Sequence, residues 1–473
     1  MLTTLLKRCL QAVFLLGVIS VMAFYLSKAV PGDEVLDYLS IDDTRYSVAA
    51  DPLEQHLAYT KVAKNRGLDL PLFYCSIRSG YAADSLFTIA SQANRETVRH
   101  WVKTSRQPDD VMRLYQDIIN GMRVSCPASD TSALAKQVCE GLAGLLSMQD
   151  LFTVHHAVIR LHQDVAASPQ QHPVFEATLD RINKDVEQLV NTKHLSNWQD
   201  WFPKMQWHGS GNQYHRWISG LITFKPLTSL VDGRNAWTKI GEALKWTLLL
   251  NGFAFLLAMC AGVYIGVWSG ANDGKRFEKW VHIGLFALFA LPSFWLATLL
   301  IYFFSSGEWL SLFPSGGLGA YRQAQGIWSK TTLLATHLFL PVMCLSLGSL
   351  AYVSRQMKQS VIHQFHQPYV FFLRAQGISE KTILWKHILR NALFPMITMI
   401  GSSLPALLSG SLIIEVIFSI PGMGRLLYNS LLARDWPVVF PVLMLGAAIT
   451  VISYILTDVA YKWADPRVKS IAS

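Results

Sequence analysis

Four histidines, His155, His156, His162 and His172, and three cysteines, Cys75, Cys126 and Cys139, are the chain's densest gathering of groups able to ligate a metal or cross-link the backbone. A structural zinc site needs several such ligands to converge on one point. The spacing works against that, because His155 and His156 point to different faces of a helix while His155 and His162 stand two turns apart; no metal is expected. The three cysteines permit one disulfide in an oxidising compartment and leave one thiol over, with Cys126–Cys139 the preferred pairing. Cys9, Cys260 and Cys344 lie in apolar runs and read as small core residues. The stretch Gly270-Ala271-Asn272-Asp273-Gly274-Lys275-Arg276 lacks both the spacing and the Ser or Thr of a phosphate-binding loop, and no His-Glu-x-x-His is present. The chain therefore reads as a non-enzyme that binds no cofactor. One carboxylate remains to be explained. Glu415 lies in so apolar a stretch that it must face the protein interior or an outer mouth. Arg425, across the Pro421–Gly422 turn, is a candidate partner, and a gating or structural role fits better than solute contact.

The elements that would position these groups follow from composition. Of 473 residues, 51% are hydrophobic and only 15% charged. Six apolar runs, at about 9–30, 245–269, 281–304, 331–354, 393–419 and 438–461, are each near the ~20 residues that a helix needs to cross a hydrocarbon core. At membrane depth such runs must be helices, since only helices satisfy their own backbone groups. The net charge of +9 is distributed along these runs rather than as a nucleic-acid patch. Lys7 and Arg8, then Lys275, Arg276 and Lys279, then Arg355 to Arg390, then Lys462, Arg467 and Lys469 fall on one side, against Arg322, Lys330, Arg425 and Arg434 on the other. The positive-inside rule makes both termini cytoplasmic. The first run reads as an uncleaved anchor, because it is long for a signal peptide and lacks a small-x-small cleavage pattern.

Between the fourth and fifth runs lies Tyr369–Pro395, a basic amphipathic stretch. Val361, Phe365, Tyr369 and Phe372 fall at helical spacing, and Pro368 suits a first helical turn. Gly377 can take the left-handed conformation that ends a helix, and Ser379 with Glu380 can cap and start the next. Two short helices bent at Gly377 could fit a groove on another protein. A plain basic loop is the alternative reading of the same spacing.

The segment resembles the cytoplasmic coupling loop of ABC importer permeases, specifically the dipeptide, oligopeptide and nickel permease family. The matching residues are Tyr369, Val370, Arg374, Ala375, Gly377, Ser379, Glu380, His387, Arg390, Asn391, Ala392, Leu393 and Pro395. Phe371, Phe372 and Leu373 depart from it, standing where the family has a polar, small-residue stretch. Further matches are Val30-Pro31-Gly32-Asp33, Gly67–Leu72, Gln213–Gly233, Leu291-Pro292-Ser293-Phe294-Trp295, Phe313–Gly317, and the segment from Ser409 through Glu415, Pro421, Gly422, Gly424 and Arg425 to Pro437. Asp458 and Asp465-Pro466-Arg467 match its terminal signature. Pro292, Pro341 and Pro405 lie in or beside apolar runs and can kink them.

The resemblance implies an all-α integral membrane protein with six transmembrane helices of the type I ABC importer permease fold. It implies a bacterial inner-membrane location, a second related permease, two ABC ATPase subunits that hold ATP and Mg, and an external solute-binding protein. Three regions are expected: a first transmembrane helix (1–30), an external region (31–237) with an insertion at about 76–210, and a five-helix core (238–473) with the coupling loop at about 355–392. The insertion is expected to be mainly helical, with Ala133, Val138, Leu142, Leu145 and Leu146 on one apolar face, continued by Leu151, Val154, Val158, Leu161 and Val165. No strand-like alternation of comparable length appears in it. The implied function is a permease subunit for peptides or similar small solutes. The alternative is an ABC-linked sensor or assembly subunit whose insertion binds a protein while no solute crosses.

Overall fold

The computed structural model describes residues 2–29, 33, 35–36, 38–39, 52–78, 86–89, 91–126, 132–167, 173–191, 204–305, 309–321, 323, 326–409 and 411–464. The chain divides into two compact units, Met1–Ala23 with Pro226–Ser473, and Phe24–Lys225. Helix α1 (Leu2–Ala29) runs through the first apolar stretch. Leu10, Phe14 and Met22 are exposed on it, as side chains meeting lipid would be.

The Phe24–Lys225 unit contains α2 (Pro52–Arg66), β1 (Cys75–Arg78), α3 (Gln92–Ser105), α4 (Pro108–Ser125), α5 (Ala133–Leu145), α6 (Leu151–Ala166), α7 (Pro173–Asn191), β2 (Lys204–Trp207) and α8 (Gln213–Ile222). Its helices begin where local chemistry allows. Ser91, Ser132 and Asp150 each accept a first-turn N–H, while Pro108 and Pro173 open α4 and α7. Val138, Leu142 and Leu145 of α5 and Leu151, Val154 and Val158 of α6 are buried together with Trp101 and Leu179. The side chain of Ala133 lies outside the described residues. Cys126 and Cys139 form a disulfide across 13 residues, worth about 3 kcal/mol by loop-closure entropy.

The insertion is mainly helical, as its pattern predicts, with one short two-stranded sheet that no alternation announced. β1 pairs antiparallel with β2, Cys75 opposite Trp207 and Arg78 opposite Lys204. Four-residue strands are too short to show a sequence alternation, and tertiary pairing makes them. The strand pair brings together the two ends of the stretch between residues 78 and 204. Beside it, Gln213 N–H donates to the Pro71 carbonyl at 2.9 Å and Tyr214 N–H to Leu72 at 3.1 Å. The Gln213 side chain donates to Leu68 and Leu70. The Gly67–Leu72 fragment and the start of the Gln213–Gly233 fragment, far apart in sequence, are thus hydrogen-bonded side by side.

The other unit is built on α9 (Ala236–Ala271), α10 (Arg276–Ala290), α11 (Ser293–Phe304), α12 (Ile327–Phe365), α13 (Pro368–Ala375), α14 (Glu380–Thr382), a π-helical turn (Ile383–Ile388), α15 (Leu389–Ala392), α16 (Phe394–Ser409), α17 (Leu412–Ile417), α18 (Met423–Leu432) and α19 (Trp436–Ala464). Among the described residues four helices are long and apolar enough to cross a membrane, or five if the bent pair α10–α11 counts as one span. The protein is therefore a largely membrane-embedded, multi-pass helical one. Two of the six expected spans are not straight helices. The 281–304 run turns by 103°. Leu291, forced out of the helical region by the ring of Pro292, sits at φ −76° and ψ 129° there. The 393–419 run divides into α16, of 16 residues, and α17, of six.

α9 and α12 cross closely because Gly262, Gly266 and Gly270 form a stripe against Val353, Met357 and Val361. A Cβ at Gly266 would stand 2.5 Å from Met357 Cβ and 2.6 Å from the Ser354 carbonyl. α16 meets α19 in the same way at Gly401, whose carbonyl accepts from Thr457 Oγ1 at 2.8 Å.

Candidate functional site: a surface loop and a buried carboxylate corner

The loop between α12 and α16 begins where α12 stops at Phe365 and Pro368 reopens a helix. Val361, Val370, Ile383, Ile388 and Ala392 are buried together with Val267 near the end of α9. Phe372 does not share this face as its spacing predicts. The chain breaks at His366–Gln367, and the register shift turns Phe372 outward, 63% exposed. Gly377 has φ +76° and nothing within 4 Å of where a Cβ would stand, so its requirement is conformational and not steric. Gly377 N–H donates to the Arg374 carbonyl and Ile378 N–H to Leu373, the paired bonds that close a helix through a left-handed glycine.

Ser379 then caps α14 by accepting from Thr382 N–H. Arg374 grips Glu380 with both arms of its guanidinium, Nε to Oε1 at 2.6 Å and Nη2 to Oε2 at 3.2 Å. That hydrogen-bonded pairing holds the Glu380 carboxyl below the usual range and raises Arg374. Arg374, Ala375, Gly377, Ser379 and Glu380 are exposed, whereas Tyr369, His387, Asn391 and Pro395 are half-buried. Phe371 and Phe372 add an exposed aromatic pair. Beneath the loop, Lys358 of α12 reaches Asp273 at 2.9 Å and the buried Glu278 at 2.7 Å. It fixes the α9–α10 turn and holds the Asp273 carboxyl below its ordinary range.

The second place lies at the other end of α9. Glu415 is fully buried. Its Oε1 accepts from Thr247 Oγ1 at 2.9 Å and from Ser411 N–H at 3.3 Å, and its Oε2 accepts from Arg425 N–H at 3.1 Å. Met423 N–H donates to Thr247 Oγ1 at 2.7 Å. Two first-turn donors of α18 are thereby satisfied, one directly by a carboxylate at the helix's positive end. The expected Glu415–Arg425 pairing is corrected in kind. The Arg425 main chain binds the carboxylate, while its guanidinium turns away to the Ser419 carbonyl. Gly422 and Gly424 are needed for space, since a Cβ at Gly422 would strike the Glu415 carboxylate and one at Gly424 would stand 2.6 Å from Leu412 Cα. Pro421 is exposed just before them.

Sequence reasoning missed the corner's neighbours. Thr247 carried no visible signal. Asp435, fully buried, accepts from Ser229 Oγ at 2.5 Å and Leu230 N–H at 2.9 Å, with Lys239 at 3.6 Å. An acid directly before the apolar run from Trp436 was the available clue. The glycine stripe of α9 was legible as Gly at every fourth position. Asp458 lies in α19 with its side chain outside the described residues, and Asp465 and Arg467 lie wholly outside them. Among the described residues no three metal-ligating side chains gather, and His162 instead meets Asp180 at 3.0 Å; His172 lies outside the described residues.

From Thr247 at the corner to Val267 beneath the loop, α9 rises by about 30 Å at 1.5 Å per residue. That is one hydrocarbon thickness.

Residues 262–470 match the family described as binding-protein-dependent transport system inner membrane component. The chain is 32% identical over 258 residues to the inner membrane ABC transporter permease protein YejB of Escherichia coli O157:H7, covering 54% of this chain and 71% of that one. It is 31% identical to the oligopeptide transport system permease protein AppB of Bacillus subtilis, covering 54% and 80%. To the peptidoglycan transport system permease protein YejB of Agrobacterium fabrum it is 34% identical, covering 46% and 61%. The chain belongs to the binding-protein-dependent permease family of ABC transporters.

Proposed function

We propose that this chain is the permease subunit of an ATP-driven importer, forming the pathway for peptides or similar small solutes. Six spans cross the bacterial inner membrane in this reading, the third and fifth as broken helices, with both termini cytoplasmic. The observation that carries it is the loop Tyr369–Pro395, whose apolar face is seated on the ends of α9 and α12 while Arg374, Ala375, Gly377, Ser379 and Glu380 face outward. A groove on a partner ATPase, which would hold the ATP and Mg, receives that outer face. Movement there is delivered to the rigid helices and reaches the Glu415 corner, and the paired permeases rock between inward-open and outward-open states. Loaded binding protein and ATP favour the same state, and the coupling is reciprocal. The names of the oligopeptide and peptidoglycan relatives support the solute class.

The regions proposed are 1–30 as first span, 31–237 as external region with its insertion at about 76–210, and 238–473 as core. The Cys126–Cys139 disulfide supports an oxidising location for the insertion. Its self-contained core also favours the second reading, a sensor subunit that binds a protein without passing solute. The deciding experiment reconstitutes the chain with a second permease, ATPases and binding protein in vesicles, following ATP hydrolysis and uptake of a labelled peptide pool. Hydrolysis and uptake rising together support import. Hydrolysis with no uptake transfers the case to the sensor.

A further inference from the structure

We propose that a cavity of about 410 Å³ beside the Glu415 corner is a recognition site for the carboxylate end of the transported solute. It lies between the first turns of α9, the Leu318–Tyr321 turn and the segment from Ser419 into α18. The proposal rests on the import reading for its solute, and names the group by which that solute is held at the outer mouth.

Charge is the first argument. Three cations, Arg234, Lys239 and Arg425, line the cavity against one carboxylate, Glu242. Arg234 is offset by Glu242 at 2.9 Å, and Lys239 by Asp232 at 3.0 Å and Asp435 at 3.6 Å. Arg425 is different. Among the described residues its guanidinium has a neutral partner, the Ser419 carbonyl, and no carboxylate within ion-pair distance. Glu415 and Asp435, the nearest carboxylates in sequence, are otherwise engaged, Glu415 by main-chain N–H groups and Thr247 and Asp435 by Ser229, the Leu230 N–H and Lys239. A planar guanidinium at a cavity wall without a counter-anion suits bidentate binding of a carboxylate.

Shape is the second. Trp246 and Tyr321 meet edge to face at 5.3 Å and form an aromatic wall, with the Lys245 and Lys330 ammonium groups over their rings. These lysines add positive field behind that wall. The volume falls in the range of small-molecule sites, which are mostly apolar with a few convergent polar groups. A concave site of this size takes a short peptide's end more readily than the flat face of a protein.

The site would also act on the corner. Ser419 is a non-glycine residue at φ +53°, and Arg425 holds its carbonyl. A carboxylate makes a stronger, charge-assisted bond than a neutral carbonyl does. An arriving solute therefore draws Arg425 off Ser419 and loosens the turn that packs Gly422 on Glu415.

The test uses the assembled permease complex in lipid nanodiscs without binding protein, with saturation-transfer NMR of trialanine and of trialanine amide. Trialanine is expected to bind about tenfold tighter than its amide. Arg425→Gln should erase that difference. Its fold is protected, because the glutamine still has an N–H for Ser419 and the main-chain bond to Glu415 does not depend on the side chain. Glu242→Gln, which removes the lone lining carboxylate, should tighten trialanine binding by about two- to fivefold, a gain that misfolding cannot imitate. Equal binding of acid and amide, or no change in either variant, overturns the proposal. So does cross-linking of the binding protein at Tyr321 with no peptide bound. The companion vesicle assay separates the two readings. Acid-selective binding without peptide uptake removes the import reading and leaves the site, whereas coupled uptake without acid selectivity removes the site alone.

Discussion

The loop at Tyr369–Pro395 and the corner at Ser411–Arg425 are both tight turns between helices in one unit, but they are held by opposite means. The loop is local. Gly377, Ser379 and the Arg374–Glu380 pair close it with partners no more than six residues away, and its polar groups stay in water. The corner is assembled from a distance: Thr247 is 168 residues from Glu415, and each of its acceptors is buried. A local, solvated turn can be moved or docked at little cost, while a buried network assembled around one carboxylate has one arrangement or fails. The loop suits a surface that engages another protein, and the corner suits a joint that must keep its shape.

The largest effect should come from breaking the corner. Glu415→Ala leaves Ser411 N–H, Arg425 N–H and the Thr247 hydroxyl without their acceptor in a buried site, and should destabilise the chain by about 3–5 kcal/mol. Glu415→Gln retains an oxygen acceptor and should cost distinctly less. Thermal unfolding of the purified variants in detergent would compare them, and equal midpoints would show that the carboxylate network is not what holds the joint.

Next is the helix crossing that joins the two places. Gly266→Leu forces a side chain into Met357 and the Ser354 carbonyl, with an expected cost of about 1–3 kcal/mol from overpacking. Gly284→Leu, where nothing lies within 4 Å of the Cβ position, should be neutral by the same measurement. A similar loss in both variants would mean that the stripe is not a close contact.

These sites also mark how far the sequence could be read. The loop was legible because its signals are short-range: a proline that opens a helix, a glycine that ends one, a serine that caps the next. The buried face of the insertion was legible as periodicity, with Val138, Leu142, Val154 and Val158 all in the core. Glu415 could be flagged as a buried carboxylate and Arg425 named beside it, though through the wrong group; Ser411, four residues before it at the start of the same helix, was within local reach, whereas Thr247, 168 residues away, meets it only through packing. A kink at Pro292 was legible from the proline itself, though not its size of 103°, whereas hydropathy measures apolar length and is blind to the division of the 393–419 run. The β1–β2 pair escaped because pairing across more than a hundred residues leaves no local pattern.

Within the loop, Gly377→Val should cost about 1–2 kcal/mol locally, since a β-branched residue is strained at φ +76° where the surroundings are open. Under the importer reading, ATP hydrolysis in reconstituted vesicles should uncouple from uptake while membrane insertion stays intact. Asn is more tolerant of the left-handed region, so Gly377→Asn should restore part of the coupling. Full coupling in the valine variant would remove the loop from the mechanism.

The smallest effect belongs to the Arg374–Glu380 pair. Both side chains are substantially exposed, 39% and 62%, so water and salt screen them, and Arg374→Gln should cost about 0.5 kcal/mol. Its pH dependence has a definite sign. Arg374 lowers the folded-state pKa of Glu380, so the stabilisation is complete above the ordinary glutamate value of about 4.3 and is lost as pH falls through the lower folded value. Near neutral pH the pair is fully formed and contributes no pH response. Hydrogen exchange of the α13–α14 amides should therefore be the same in relative protection at pH 6 and 8, and the wild type and Arg374→Gln should converge only in acid. A difference that changed between pH 6 and 8 would show that this pair is not the loop's pH-sensitive element.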